Sequence, residues 1–316
     1  MMRFVLQRLL RALVVIWVVT LVTFVVLRLT PGDPAELLLG TQAANAANHH
    51  LLAELHRQLG LDRPLPVQYG IWLANIARGH FGVSTFNQTS VISMILQAAP
   101  ATLWLIGLSV VVAVPLAVLL GLISAGTRRR SVDMAIRGAT TLAIATPSFW
   151  VGLLLIILFA VKAQVLPSTG FVSPLTSLSG FFRHLVLPVA TLAAYLVGAL
   201  TRYVYVEAVR VGSGDQVRTF TAMGLHRQVI RWRYVLREAV LPLVTVLGIQ
   251  AGSLVAGAVL VEQVFGLGGV GQLMLEGVLD RDYPLVEAAV ILTTVAVVLA
   301  NALADILRRV VDPRVR

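Results

Sequence analysis

The sequence has no cysteine, a single lysine (Lys162) and charge on only 13% of its 316 residues. Without cysteine, a disulfide framework, thiolate metal sites and thiol catalysis are excluded, although the compartment is not identified. The one lysine is followed by Ala163, so the phosphate-cradling pattern G-x-x-x-x-G-K-[ST] cannot occur. Neither H-E-x-x-H nor G-x-S-x-G is present, and none of the six histidines lies within a long apolar run. A soluble chain is about one-quarter charged, whereas this one is 58% hydrophobic. It lacks the polar surface needed to stay in water. The net charge of +10 does not indicate nucleic acid, because the basic residues sit in short runs between apolar stretches and not on one soluble face.

The composition predicts an all-α, polytopic membrane protein. About 20 apolar residues cross a bilayer, and six stretches qualify: Leu9–Leu29, Ala98–Ala125, Met134–Val161, Leu185–Thr201, Ala239–Val261 and Leu285–Leu303. The first has a basic lead-in like a signal peptide, but Arg28-Leu29-Thr30-Pro31 follows it with no small-x-small cleavage pattern, so it reads as a retained anchor. Pro115, Pro147, Pro188 and Pro242 lie in or at the ends of these spans, and each predicts a kink or a stop.

Loop charge gives an orientation. With both termini inside, the inner side carries 18 basic and six acidic residues and the outer side seven basic and nine acidic. That asymmetry predicts N-in, C-in. The resulting organisation is an inner N-terminus and first helix (1–29), a long outer loop (30–97), a five-helix core (98–311) and a short inner tail (312–316). The core contains a strongly basic inner loop, 202–237. In the outer loop, Leu51, Leu52, Leu55 and Leu59, closed by Gly60, form an amphipathic stretch. Val67 to Ile76 places Tyr69 and Trp72 at headgroup depth.

The centres of all six spans lack Asp, Glu, Lys, Arg and His. An ion-coupled carrier needs such groups at membrane depth, so that class is disfavoured, as is an intramembrane hydrolase. If cargo moves uphill, another polypeptide must hydrolyse the nucleotide. In the fifth span Gly248, Gly252 and Ala256, and separately Ser253 and Gly257, recur at four-residue spacing, which lets a second helix approach closely. Packing within the bundle, a subunit interface and a pore lining all remain open for them. Gln250 and Asn301 are the polar exceptions, suited to interhelical hydrogen bonds.

Within the basic inner loop, Asp215 to Leu225 reads as a short helix stopped by Gly224, and a second basic helix, His226 to Arg237, leads to Leu241-Pro242. Two short helices joined by a glycine form a knob suited to a groove on a soluble partner. Binding to anionic headgroups is the alternative. Here the chain resembles the integral-membrane permeases of bacterial ABC importers, specifically the first permease subunit of dipeptide, oligopeptide and nickel systems. The resemblance rests on Gly224 and Pro242, 18 residues apart, together with Leu29-Thr30-Pro31-Gly32-Asp33-Pro34, Gln58-Leu59-Gly60-Leu61-Asp62, Pro100-Ala101-Thr102-Leu103, Pro147-Ser148-Phe149-Trp150-Val151-Gly152, Leu166-Pro167-Ser168-Thr169-Gly170, Glu262-Gln263-Val264-Phe265, Arg281-Asp282-Tyr283-Pro284 and Asp312-Pro313-Arg314. It covers nearly the whole chain. The chain departs from the family at Phe220, Thr221 and Met223, at Gly268 and at His80, and Gly212-Ser213-Gly214 looks like an extra stretch.

The resemblance implies the type I importer permease fold in a bacterial inner membrane. It also implies half of a translocation path for peptides; nickel chelates and glutathione-like thiols remain alternatives, and an ion-coupled carrier a remote one. The implied partners are a second permease, two ATPase subunits (or one fused ATPase) and an extracytoplasmic binding protein, in a lipid bilayer and without nucleic acid. No cofactor or metal is implied for this chain, which is not itself an enzyme; ATP and Mg would sit on the ATPases. Coupling to them falls to Arg218, Thr219, Ala222, Met223, Gly224, Leu225 and Pro242. Gly248, Gln250, Gly252, Ser253 and Gly257 are the packing or pore candidates.

Overall fold

A computed structural model describes residues 2–29, 50, 52, 54, 57 and 62–311. Of the amphipathic stretch expected in the long loop, Leu51, Leu55, Leu59 and Gly60 lie outside these residues, as does the 312–316 tail. The described residues form helices α1 (Met2–Leu29), α2 (Leu65–Ala77), α3 (Val91–Gly126), α4 (Arg130–Ala145), α5 (Ser148–Leu155), α6 (Leu178–Gly212), α7 (Asp215–Ala222), α8 (Arg227–Val229), α9 (Leu236–Val240), α10 (Leu243–Phe265), α11 (Val270–Leu279) and α12 (Tyr283–Val311). π-helical turns cover Ile156–Lys162, after α5, and Ile230–Val235, between α8 and α9. Among the described residues no strand forms, only an isolated antiparallel bridge between Val83 and Ser90.

Among the described residues five helices are long and apolar enough to cross a membrane, and the bent pair Arg130–Ala145 and Ser148–Lys162 makes a sixth if it is one span. The third expected span is therefore not a single rod. Its halves meet at 105°, because Pro147 has no N–H to continue the α4 ladder and Thr146 is already extended at ψ 129. Pro100 and Pro115 are accommodated inside α3, and Pro188 inside α6.

The contacts divide the chain into two compact units, residues 1–99 with 273–298 and residues 100–272 with 299–316. In the larger unit α6 is the hub. Ser177 caps it by accepting from the Gly180 N–H at 3.1 Å. Leu192, Leu196, Leu200, Val204 and Ala208, at strict four-residue spacing, form a buried ridge along it. The α4 helix lies close against α6 at Gly198, where an added Cβ would stand 2.7 Å from the Thr140 carbonyl oxygen. Phe181, near the start of α6, gathers Trp104, Phe171 and Phe182 edge-on.

In the smaller unit α2 packs on α1. Tyr69 and Trp72 turn their rings toward α1. Both rings stack around Phe24 of α1, the Tyr69 hydroxyl shares a 2.9 Å hydrogen bond with Thr20, and Trp72 Nε1 donates to Glu287 Oε2 at 2.5 Å.

Candidate functional site

The α6 helix runs to Gly212, well past the Thr201 boundary read from hydropathy, so Arg202 and Arg210 lie on it and not in a loop. After Gly214 the chain re-enters a helix with Asp215 in the first turn, favourable beside the positive end of the helix dipole. The α7 helix has two faces. Val217 and Phe220 pack inward, joined beyond its end by Leu225, and the Phe220 ring lies 4.3 Å from that of Tyr234. Arg218, Thr219, Ala222 and Met223 are exposed on the other face, Met223 at 69%. Thr219 donates to the Asp215 carbonyl and Thr221 to that of Val217, so both hydroxyls are satisfied within the helix. Arg218 pairs with Asp215 at 3.4 Å, an exposed contact of little energetic weight.

Gly224 has φ +80, and the Leu225 N–H returns to the Phe220 carbonyl at 3.1 Å. This is the left-handed stop expected of a glycine at a helix end. The expected second helix forms but is interrupted by the π-helical turn Ile230–Val235, whose end residues Ile230 and Val235 are buried. That turn aims Arg231 at the carbonyl of Gly126, the last residue of α3, which places a cation at the negative end of that helix. A side chain at Gly126 would displace the guanidinium. A cleft of about 250 Å³ lies between these elements, lined by Leu122, Ala208, Val217 and Val235 among others. Residues 218–225 are thus brought together in one exposed knob tied to α3. Pro242 stands apart at the turn into α10, its carbonyl accepting from the Thr245 and Val246 N–H groups.

The small residues of α10 separate into two environments. Gly248 is buried, and a Cβ there would stand 3.0 Å from the Ala304 Cβ and 3.2 Å from the Asn301 Oδ1, whereas Gly257 faces Leu192. Gln250 is half-buried, whereas Gly252 and Ser253 are exposed. Packing within the chain therefore accounts for Gly248 and Gly257 only.

Two carboxylates organise the structure and were not singled out by spacing. Glu262, fully buried, accepts from the Thr102 hydroxyl at 2.6 Å, from the Gln272 N–H at 3.0 Å and from the Gly271 N–H. Thr102 in turn accepts from the Val270 N–H at 2.8 Å. The start of α11 is thereby capped by Glu262 from the preceding helix and by Thr102 from 168 residues away. Glycine is required at 271, where a Cβ would lie 2.7 Å from the Val259 backbone. Asp282, also buried, binds the hydroxyl of Ser84 and both the N–H (3.1 Å) and hydroxyl (3.3 Å) of Thr85. It fixes the 83–90 hairpin to the start of α12. The only sequence signal for either cage was membership of separate motifs, with nothing to pair them.

Two family models match the chain. Residues 117–316 match the binding-protein-dependent transport system inner membrane component, and residues 1–106 match the N-terminal part of such membrane components. Among curated relatives, the oligopeptide transport system permease protein AppB of Bacillus subtilis is 32% identical over 318 residues, covering 100% of this chain and 99% of its own. The "Probable peptide ABC transporter permease protein y4tP" of Sinorhizobium fredii is 32% identical over 313 residues, 99% of each chain. With matches running end to end over a bundle of apolar helices, the chain belongs to the inner-membrane components of binding-protein-dependent transport systems.

Proposed function

We propose that this chain is a permease subunit of an ATP-binding-cassette importer and forms half of the translocation path for peptides. The names of its end-to-end relatives support the cargo. The observation that carries the mechanism is the two-faced knob. Residues 217, 220 and 225 hold it to the bundle, while Arg218, Thr219, Ala222 and Met223 are presented outward. With no nucleotide-binding loop in the sequence, the energy comes from ATPase subunits that hold ATP and Mg, and the exposed face of α7 is where they grip. Their closure is passed through Arg231 and the π-helical turn to the end of α3. Converting ligand binding into movement requires that this element take up two arrangements, one of them favoured by the closed ATPases. The orientation is N-in, C-in, with the knob inside and the 83–90 hairpin outside, toward the binding protein and alongside a second permease.

The test is a complex reconstituted with its ATPases and binding protein. Met223→Asp or Gly224→Asp should abolish substrate-stimulated ATP hydrolysis while the permease still reaches the membrane. Normal stimulation in either variant would refute the assignment.

A further inference from the structure

We propose that the smaller unit carries a phospholipid site, with one acyl chain lying between α1 and α12 and its phosphodiester meeting Arg281. The observations start with an apolar groove of about 440 Å³. Val22, Val26 and Leu27 of α1 line one wall, and Val286 and Val290 of α12 the other. From residue 283 to 290 the α12 wall runs about 10 Å at 1.5 Å per residue. One wall belongs to the first membrane span, so the groove lies where lipid tails are the surrounding solvent. Lipid tails are as apolar as the valines that line it.

Polar groups collect at one end of the groove. Tyr283 lines it and is 8% exposed, yet its hydroxyl has no hydrogen-bond partner among the described residues. A buried donor of this kind calls for an acceptor. Arg281 also lines the groove, is exposed and makes no ion pair among the described residues. The nearby carboxylates do not occupy it. Asp282 is held by Ser84 and Thr85, Glu287 takes the Trp72 N–H, and Asp280 is exposed without an ion pair to Arg281. A guanidinium and a phenol above an apolar trough match a phosphodiester above an acyl chain. A polypeptide helix would fill the trough but leave both polar groups unanswered.

The chain has no native cysteine, which makes a single-site test clean. Val278 lines the groove and is 53% exposed, so Val278→Cys can carry a benzophenone maleimide without opening the core. The full chain is placed in nanodiscs of phosphatidylethanolamine and phosphatidylglycerol and illuminated. The expected product is the chain plus the mass of one phospholipid. Its yield should fall about tenfold when Arg281→Gly is added. Glycine suits the φ of +57 at that position, so the loss reports the missing guanidinium and not backbone strain. A labelled Leu13→Cys control, on the exposed face of α1, should be indifferent to Arg281→Gly. Three results would overturn the proposal: a crosslink to a polypeptide in place of lipid, a yield at Val278→Cys unaffected by Arg281→Gly, or equal labelling by diacylglycerol, which has no phosphate.

Discussion

Replacing Glu262 by glutamine keeps its shape and removes its charge, and the donors around it dictate the outcome. The carboxylate accepts from Thr102, Gly271 and Gln272, and Thr102 also accepts from the Val270 N–H. A glutamine can keep its single carbonyl oxygen on the two backbone N–H groups. Its amide then points a donor at the Thr102 oxygen, and the Thr102 proton is left without an acceptor. One unsatisfied buried donor costs about 1–3 kcal/mol. At about 2–4 °C per kcal/mol for chains of this size class, the apparent Tm of the detergent-purified chain should fall by several degrees. Thr102→Val strands the Val270 N–H and one carboxylate oxygen and should cost a similar amount. Glu262→Ala strands three donors and opens a cavity, so it should be the worst of the series, above about 3 kcal/mol. Thr102→Ser keeps the hydroxyl and should be close to neutral. Thermal unfolding followed by tryptophan fluorescence orders the four variants. A Glu262→Gln protein that melts with the wild type would show that the cage does not hold the start of α11, and the reasoning would fail.

Gly198→Leu should lower the yield of folded protein on size-exclusion chromatography, because its Cβ alone would press on the Thr140 carbonyl oxygen and on Ile144; overpacking of this sort costs about 1–3 kcal/mol or more. Asp282→Asn should speed proteolytic nicking of the 83–90 hairpin several-fold in membranes, since its anchoring acceptor is replaced in part by a donor; an unchanged cleavage rate would separate the hairpin from α12. Single cysteines test the orientation in right-side-out vesicles. An impermeant maleimide should label Phe86→Cys, on an exposed hairpin residue, and should reach Met223→Cys only after permeabilisation; the reverse pattern would invert the topology.

What could be read in the sequence is what repeats locally. Long apolar runs located the spans, Gly224 announced its left-handed turn, and Pro147 marked a break. Periodicity could not show that this break is a 105° elbow, since hydropathy is blind to direction. It also stopped the fourth span at Thr201, because the buried ridge continues through Val204 and Ala208 among arginines that face outward. The Glu262 and Asp282 cages join residues 160 and 198 positions apart. Such pairings have no period, and each carboxylate was visible only within its own motif, Glu262-Gln263-Val264-Phe265 or Arg281-Asp282-Tyr283-Pro284. The π-helical turn behind the knob was equally hidden, for its residues differ little in helix propensity from their neighbours.

The length of α6 has a mechanical consequence. Its 35 residues extend about 52 Å at 1.5 Å per residue, against a hydrocarbon layer of about 30 Å. Even with a moderate tilt, a stalk of several turns stands clear of the acyl region and carries α7 at its tip. With its headgroups the bilayer is about 40–45 Å thick, so the overhang lies largely within the headgroup layer. Its exposed Arg202 and Arg210 resist drawing this end of the helix back into the acyl region.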